Sequence, residues 1–289
     1  MGRSLAHALD AGTPVLWIDF YDYAARLFPG GGVVPWFDDA AFAAFHGKAQ
    51  SLLDSDVISL PVGRVAEALL QARPALVEAM GAKSRPAYPL RRLLEDDALR
   101  DAVAGLLAPL RAADGERPLA LVLPSPRCWL AAAYASAHGR PLAPEVADDA
   151  DEIDGAAVYV ADFLRAFAGA GVDLVLLCED DAGGPASAEA LALYDPVVKT
   201  ARHYRWAVGL LDVGGRLPAG AGQDLDVVIA PTPDGARGGA VLPEAFWQHG
   251  DAPQALGARL VYASIPAGTV PEIVLERLAG LRAGQNPEA

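Results

Sequence analysis

Apolar residues fall along the chain in two alternating rhythms. Short runs rich in Val, Leu and Ile, bounded by Gly, Pro and Asp, are separated by longer stretches in which apolar residues recur every three to four positions. The first rhythm predicts strands, and the second predicts helices that cross from one strand to the next. Strands are expected over 15–20, 57–62, 119–123, 174–178, 206–212, 227–230, 240–242 and 260–265. Helices are expected over 38–53, 65–80, 94–113, 127–137, 155–169, 186–203, 243–248 and 270–283. Leu119-Ala120-Leu121-Val122-Leu123 and Leu174-Val175-Leu176-Leu177-Cys178 lack any polar alternation, as suits parallel strands covered on both faces. Eight strands with crossover helices predict an α/β chain, a single (β/α)8 TIM-type barrel occupying residues 1–289. An open doubly wound sheet is the competing arrangement. No Gly-x-Gly-x-x-Gly follows the first strand, where a dinucleotide fold places it, and Gly30-Gly31-Gly32 reads as a loop.

Length and composition narrow the setting. A chain of 289 residues buries about 75% of its unfolded surface, so its core needs no disulfide or structural metal. The only cysteines, Cys128 and Cys178, sit in apolar segments, which predicts a reducing compartment. The N-terminus lacks the apolar run of a signal peptide and no later run has the length of a membrane span, so the expected location is cytoplasmic. Against 23 basic residues stand 37 acidic ones, a net charge of −14. That balance disfavours nucleic acid and anionic membranes as partners, because both bind through clustered Lys and Arg. Residues 141–289 hold 22 acids against 9 bases, which is −13 of the −14. The run from Asp148 to Asp154 precedes an expected helix, whose dipole favours acids there, and it lacks the Gly and oxygen spacing of a calcium loop.

Four stretches resemble the uroporphyrinogen decarboxylase superfamily, which also includes cobalamin-independent methionine synthase and corrinoid methyltransferases. Thr13-Pro14-Val15 followed by Tyr23-Ala24-Ala25-Arg26-Leu27-Phe28-Pro29 is similar to that family's opening strand and Gln-Ala-Gly-Arg-Tyr-Leu-Pro segment. Pro124-Ser125-Pro126-Arg127-Cys128-Trp129-Leu130 resembles its Gly-Ala-Pro-Trp-Thr-Leu turn. Ala168 to Asp173 leads into Leu174 as the family's entry to an inner strand does, and Ser264 to Pro271 occupies the place of its Asn-Leu-Gly-His-Gly segment. The resemblance implies a barrel enzyme, and it makes Arg26 the anchor of a substrate carboxylate. It also marks divergence. Asp22 stands about where the family's first Arg belongs, Gly63-Arg64 ends the second strand in place of the decarboxylase Asp, and Pro266 falls near its His. The His-x-Cys of the zinc methyltransferases is absent, so neither metal nor cofactor is expected.

In a barrel the reacting groups sit at the C-terminal ends of the strands. Those ends carry Asp19, Tyr21, Asp22 and Tyr23, then Arg64, Arg127, Glu179-Asp180-Asp181, Asp212, Asp234 with Arg237, and Ser264. Carboxylates suit general acid/base work, and guanidinium forks suit an anionic substrate. Asp19, Tyr21, Glu179 and Asp180 are the candidate catalytic groups. Arg26, Arg64, Arg127, Tyr23, Trp129 and Asp212 are the candidate substrate contacts. Three consecutive acids at 179–181 also have the oxygen chemistry of a Mg²⁺ ligand. The five histidines map to the bottom and outside of the barrel, so neither a His base nor a Ser-His-Asp triad is expected.

These features predict a carbon–carbon lyase of decarboxylation type acting on a small carboxylated or aromatic metabolite. Transfer of a methyl or other one-carbon group is the alternative within the same superfamily, and a catalytically inactive barrel serving as a binding or assembly subunit is a third. The expected partners are a small anionic substrate and, in a homodimer, a second copy of the chain.

Overall fold

The computed structural model describes Leu9 and residues 14–28, 32–179, 186–218, 220–222, 224–233, 238–250 and 258–285. Eight strands, all parallel, run β1 (Val15–Asp19), β2 (Ile58–Pro61), β3 (Leu119–Pro124), β4 (Leu174–Glu179), β5 (Ala207–Asp212), β6 (Val227–Ala230), β7 (Gly238–Val241) and β8 (Leu260–Ser264). Hydrogen bonding joins them in the order β1-β8-β7-β6-β5-β4-β3-β2. The result is a nearly closed (β/α)8 barrel. Among the described residues the crossovers are α1 (Tyr21–Leu27), α2 (Asp39–Leu53), α3 (Val62–Ala72), α4 (Pro74–Met80), α5 (Tyr88–Leu94), α6 (Asp97–Ala113), α7 (Pro126–His138), α8 (Pro144–Ala147), α9 (Ala150–Arg165), α10 (Ala188–Ala192), α11 (Asp195–His203), α12 (Glu244–His249) and α13 (Pro271–Gln285).

Where the observed helices differ from the expected ones, local chemistry accounts for it. The helix expected over 65–80 is two, because Pro74 pushes Arg73 out of the helical region, to φ −129° and ψ 74°. The helix expected over 94–113 starts afresh at Asp96, whose carboxylate caps Ala98 N–H at 3.0 Å. Asp149 caps α9 in the same way, so the acidic run lies in that helix's first turn rather than ahead of it. Helix α1 was not expected at all, since seven residues are too few for periodicity to register.

Alternation along each strand divides the core in two. Val15, Trp17, Leu174, Leu176, Val227, Ile229, Leu260 and Tyr262 fill the barrel, whereas Leu16, Ile18, Val175, Leu177 and Val261 face the helices. The interior sets bulk against glycine. A Cβ on Gly209 would lie 2.8 Å from Val227 Cγ1 and 2.9 Å from Leu176 Cδ1, and one on Gly239 would lie 2.9 Å from Leu260 Cδ2. These positions hold no side chain because their neighbours already fill the space.

No backbone ladder joins β1 to β2. Two side chains and one backbone bond close that seam instead. Asp56 Oδ2 accepts Leu16 N–H at 2.7 Å, Ser55 Oγ accepts Ile18 N–H at 3.0 Å, and Asp56 N–H donates to Leu16 O at 2.9 Å. Higher up, Tyr21 Oη donates to Ser59 O at 2.6 Å. A carboxylate serves the same purpose at two further strand pairs on the barrel floor. Asp173 Oδ2 accepts Leu119 N–H at 2.9 Å between β4 and β3, and Asp226 Oδ2 accepts Val208 N–H at 2.8 Å between β6 and β5. Asp56-Val57, Asp173-Leu174 and Asp226-Val227 thus share one sequence pattern, an acid immediately before an apolar strand.

Candidate functional site

The inward positions on β1, β4 and β8 bring Asp19, Cys178 and Tyr262 to the C-terminal mouth. Asp19 follows Val15 and Trp17 on the inward face, and its side chain is 16% exposed. Arg64, in the first turn of α3, reaches it from the neighbouring strand end. Arg64 Nη2 donates to Asp19 Oδ2 at 2.9 Å, and Nη1 donates to Asp22 Oδ1 at 3.0 Å. Tyr262 Oη lies 3.5 Å from the same Asp19 Oδ2, and its ring meets Trp17 edge-on at 5.8 Å between centroids.

Burial raises the Asp19 carboxyl above the ordinary carboxylate range, against the opposing pull of Arg64. Burial and then the Asp19 charge raise the Tyr262 phenol well above its ordinary value, so it serves as a proton donor in hydrogen bonds. A carboxyl of adjusted basicity, a phenolic donor and a guanidinium sharing one carboxylate are the parts of a proton-transfer site.

A second cluster lies behind β4. Glu179 has outward parity, with Val175 and Leu177, and points into the layer between β4 and the helices. Arg127, buried in the first turn of α7, donates from Nη2 to Glu179 Oε2 at 2.9 Å and from Nη1 to Asp148 Oδ1 at 3.2 Å. Tyr194 Oη also donates to Glu179, and Cys128 Sγ lies 3.5 Å from Glu179 Oε2. Desolvation costs Arg127, but its bond to Glu179 leaves the guanidinium with an even higher affinity for its proton. Ser125 joins the group by capping α7 through Cys128 N–H at 3.2 Å. The pairing of Glu179 with Tyr194 joins the end of β4 to the start of α11, on either side of residues 180–185.

The remaining expected residues scatter. Tyr21 is core, stacked with Phe20 at 5.2 Å and near Trp36 and Phe42. Tyr23 and Trp129 are buried, Trp129 against Phe163. Asp212 is buried with outward parity and accepts Leu217 N–H at 2.9 Å. Asp180, Asp181, Asp234 and Arg237 lie outside the described residues. Tyr262 is not among the residues expected at the site, and alternation within Leu260-Val261-Tyr262 is the signal that it faces inward. Cys178 reads in sequence as core, yet it sits half-buried at the inner rim.

Beside Asp19 an open groove of about 840 Å³ runs between α1 and α3. Arg26, Phe28, Val34 and Trp36 line one part, Arg64, Glu67 and Gln71 another, and Ala267 from the loop after β8 closes it. A zinc–thiolate centre, which the resemblance implies for methyltransferases, does not fit the described residues. They contain no group of three or more His, Cys, Asp and Glu side chains able to hold a metal. His46 is packed against Phe20 and Tyr21 on the helical side, away from the mouth.

No protein-family model matches the chain, and no curated protein matches it. Among solved structures, a methyltransferase from Methanosarcina mazei is similar, with 15% identity and a TM-score of 0.61 over 96% of this chain and 98% of that one. This distant likeness shows the same barrel fold along nearly the whole length. Among the described residues no helix is long and apolar enough to cross a membrane.

Proposed function

We propose that the chain is a barrel enzyme, a divergent relative of the uroporphyrinogen decarboxylase-like superfamily, that transfers a methyl or other one-carbon group with an anionic metabolite as substrate. The carrying observation is Asp19, a carboxyl at the mouth whose Oδ2 lies 2.9 Å from Arg64 and 3.5 Å from Tyr262. The likeness to a methyltransferase supports this choice of reaction over the lyase alternative. In the proposed step an acceptor O–H, N–H or S–H gives its proton to the Asp19 carboxylate. The acceptor's lone pair forms the new bond to the methyl carbon, and the old bond breaks with its electrons staying on the donor. Burial makes Asp19 a stronger base than an exposed Asp. Arg64 holds the carboxylate in place, and Tyr262 orients the acceptor. Arg127 and Glu179 act as a positioning pair that sets the end of β4. Arg26 is the anchor proposed for a substrate carboxylate.

Carbon–carbon lyase chemistry is the second reading, favoured by the same burial. In that reading a proton carried by Asp19 passes to the carbon left when carbon dioxide departs. Substrate candidates are to be screened with both product assays, methylated product and released carbon dioxide. With the responsive substrate, Asp19→Asn is expected to lower kcat by at least about 10²-fold, the usual contribution of a positioned acid or base. Turnover unchanged in Asp19→Asn would overturn the assignment.

A further inference from the structure

The groove is larger than a proton-transfer centre requires, and its walls differ from those of the barrel mouth. At about 840 Å³ it falls near the upper end of the 300–1,000 Å³ typical of sites that bury an extended organic ligand. Trp36, Val34 and Phe28 supply an apolar wall. Two of the chain's exposed large apolar residues stand at this place, Val33 in the lining at 75% exposure and Phe37 next to Trp36 at 52%. Large apolar side chains clustered on the surface mark a binding region more often than a bare one.

The charges are also distinct. Arg64 is committed to Asp19 and Asp22. Among the described residues, Arg26, exposed in the lining, forms no ion pair or side-chain hydrogen bond. Glu67, on α3, likewise has no ion-pair partner among the described residues, and Asp22, also in the lining, is paired with Arg64. A guanidinium without a carboxylate, beside an aromatic wall, is suited to an acid group attached to an aromatic or apolar body. The groove and the mouth share Arg64, which lines the first and bonds to Asp19 in the second.

We infer that the substrate is an elongated aromatic or apolar anion rather than a compact metabolite, with its reacting end at Asp19 and its extension in the groove, its acid group at Arg26 and its apolar body on Trp36 and Val34. The inference rests on Asp19 marking the reacting end. Its test reads the groove alone, so the two can fail separately.

The probe is 8-anilinonaphthalene-1-sulfonate, an aromatic body with a single sulfonate, titrated by fluorescence into the full-length protein. One saturable site is expected. Arg26→Ala is expected to weaken binding about tenfold, the loss of one charge-assisted contact. Glu67→Gln is expected to tighten it, because a negative charge in the same lining is removed. Ala68→Trp, which places an indole in the groove, is expected to abolish it while circular dichroism stays native. Asp19→Asn is expected to leave the affinity within about twofold, since its charge is screened by Arg64. Absence of saturable binding would overturn the inference, as would an affinity unmoved by both Arg26→Ala and Glu67→Gln. Should Ala68→Trp fail to fold, those two substitutions at exposed positions decide the question. Equal affinity for uncharged N-phenyl-1-naphthylamine would overturn the acid group at Arg26.

Discussion

His46 shows how one side chain couples the core to pH. It packs against Phe20, Tyr21 and Phe42 on the helical side of β1, and burial lowers its pKa to about 4 from the ordinary 6.5. The folded protein therefore keeps this imidazole neutral, while the unfolded chain takes up a proton below about pH 6.5. Its contribution is complete above pH 6.5 and is lost as pH falls toward 4. The loss is about 3 kcal/mol across that window. Asp19 and Asp56 act in the opposite sense, since burial raises their carboxyls and their protonation at low pH favours the fold. Urea unfolding at pH 7.5 and 5.0 separates the two effects. His46→Leu is expected to lose less stability between these pH values than the parent does, and an identical pH dependence would show that the imidazole is not the source. Asp19 and Arg64 were both recognisable in the sequence as strand-end groups, whereas Tyr262 and the meeting of the three were not. Arg64 reaches it from 45 residues away and Tyr262 from 243, distances along the chain that no local pattern spans.

The strands and most helices were legible because their periodicities differ, and strand ends were placed to within about two residues. Breaks inside long helical patterns were less legible, since Arg73 and Asp96 interrupt them without interrupting the apolar spacing. The floor carboxylates show what pairing adds to an element. Asp56, Asp173 and Asp226 each supply the acceptor for a neighbouring strand's first or second N–H. At β1–β2, where no strand ladder exists, that role is concentrated in Asp56 and Ser55. Asp56→Ala is expected to cost about 1–3 kcal/mol, the penalty for leaving a buried N–H unmet. Asp56→Asn keeps an oxygen at the same place and removes a carboxyl that burial already raises, so it is expected to cost less than about 1 kcal/mol. Equal losses in the two variants, measured by urea unfolding at pH 7.5, would show that charge, not the acceptor, matters at this seam.

Net charge belongs to the entire molecule. At −14 the compact state repels itself, and most of the excess is carried by residues beyond 140. Raising ionic strength from about 10 to 150 mM shortens the screening length from about 30 to 8 Å. The melting temperature is expected to rise by about 2–4 °C, as for ~1 kcal/mol in a chain of this size, and a fall would indicate that the attractive ion pairs outweigh the repulsion. The sequence by itself determined an α/β chain of eight parallel strands, because apolar strands with crossover helices leave few ways to cover both faces of a sheet, and the tertiary structure decided for a nearly closed barrel over an open doubly wound sheet. It also determined which residue types stand at the strand ends. Only the tertiary structure decided which of them meet. One step of parity turns Asp19 inward toward the barrel axis and Glu179 outward to Arg127, and a helix a few residues long places Tyr21 in the core while leaving Arg26 in the groove. Side-chain direction depends on strand register and on where each helix begins, and long-range packing fixes both after the pattern has chosen the elements.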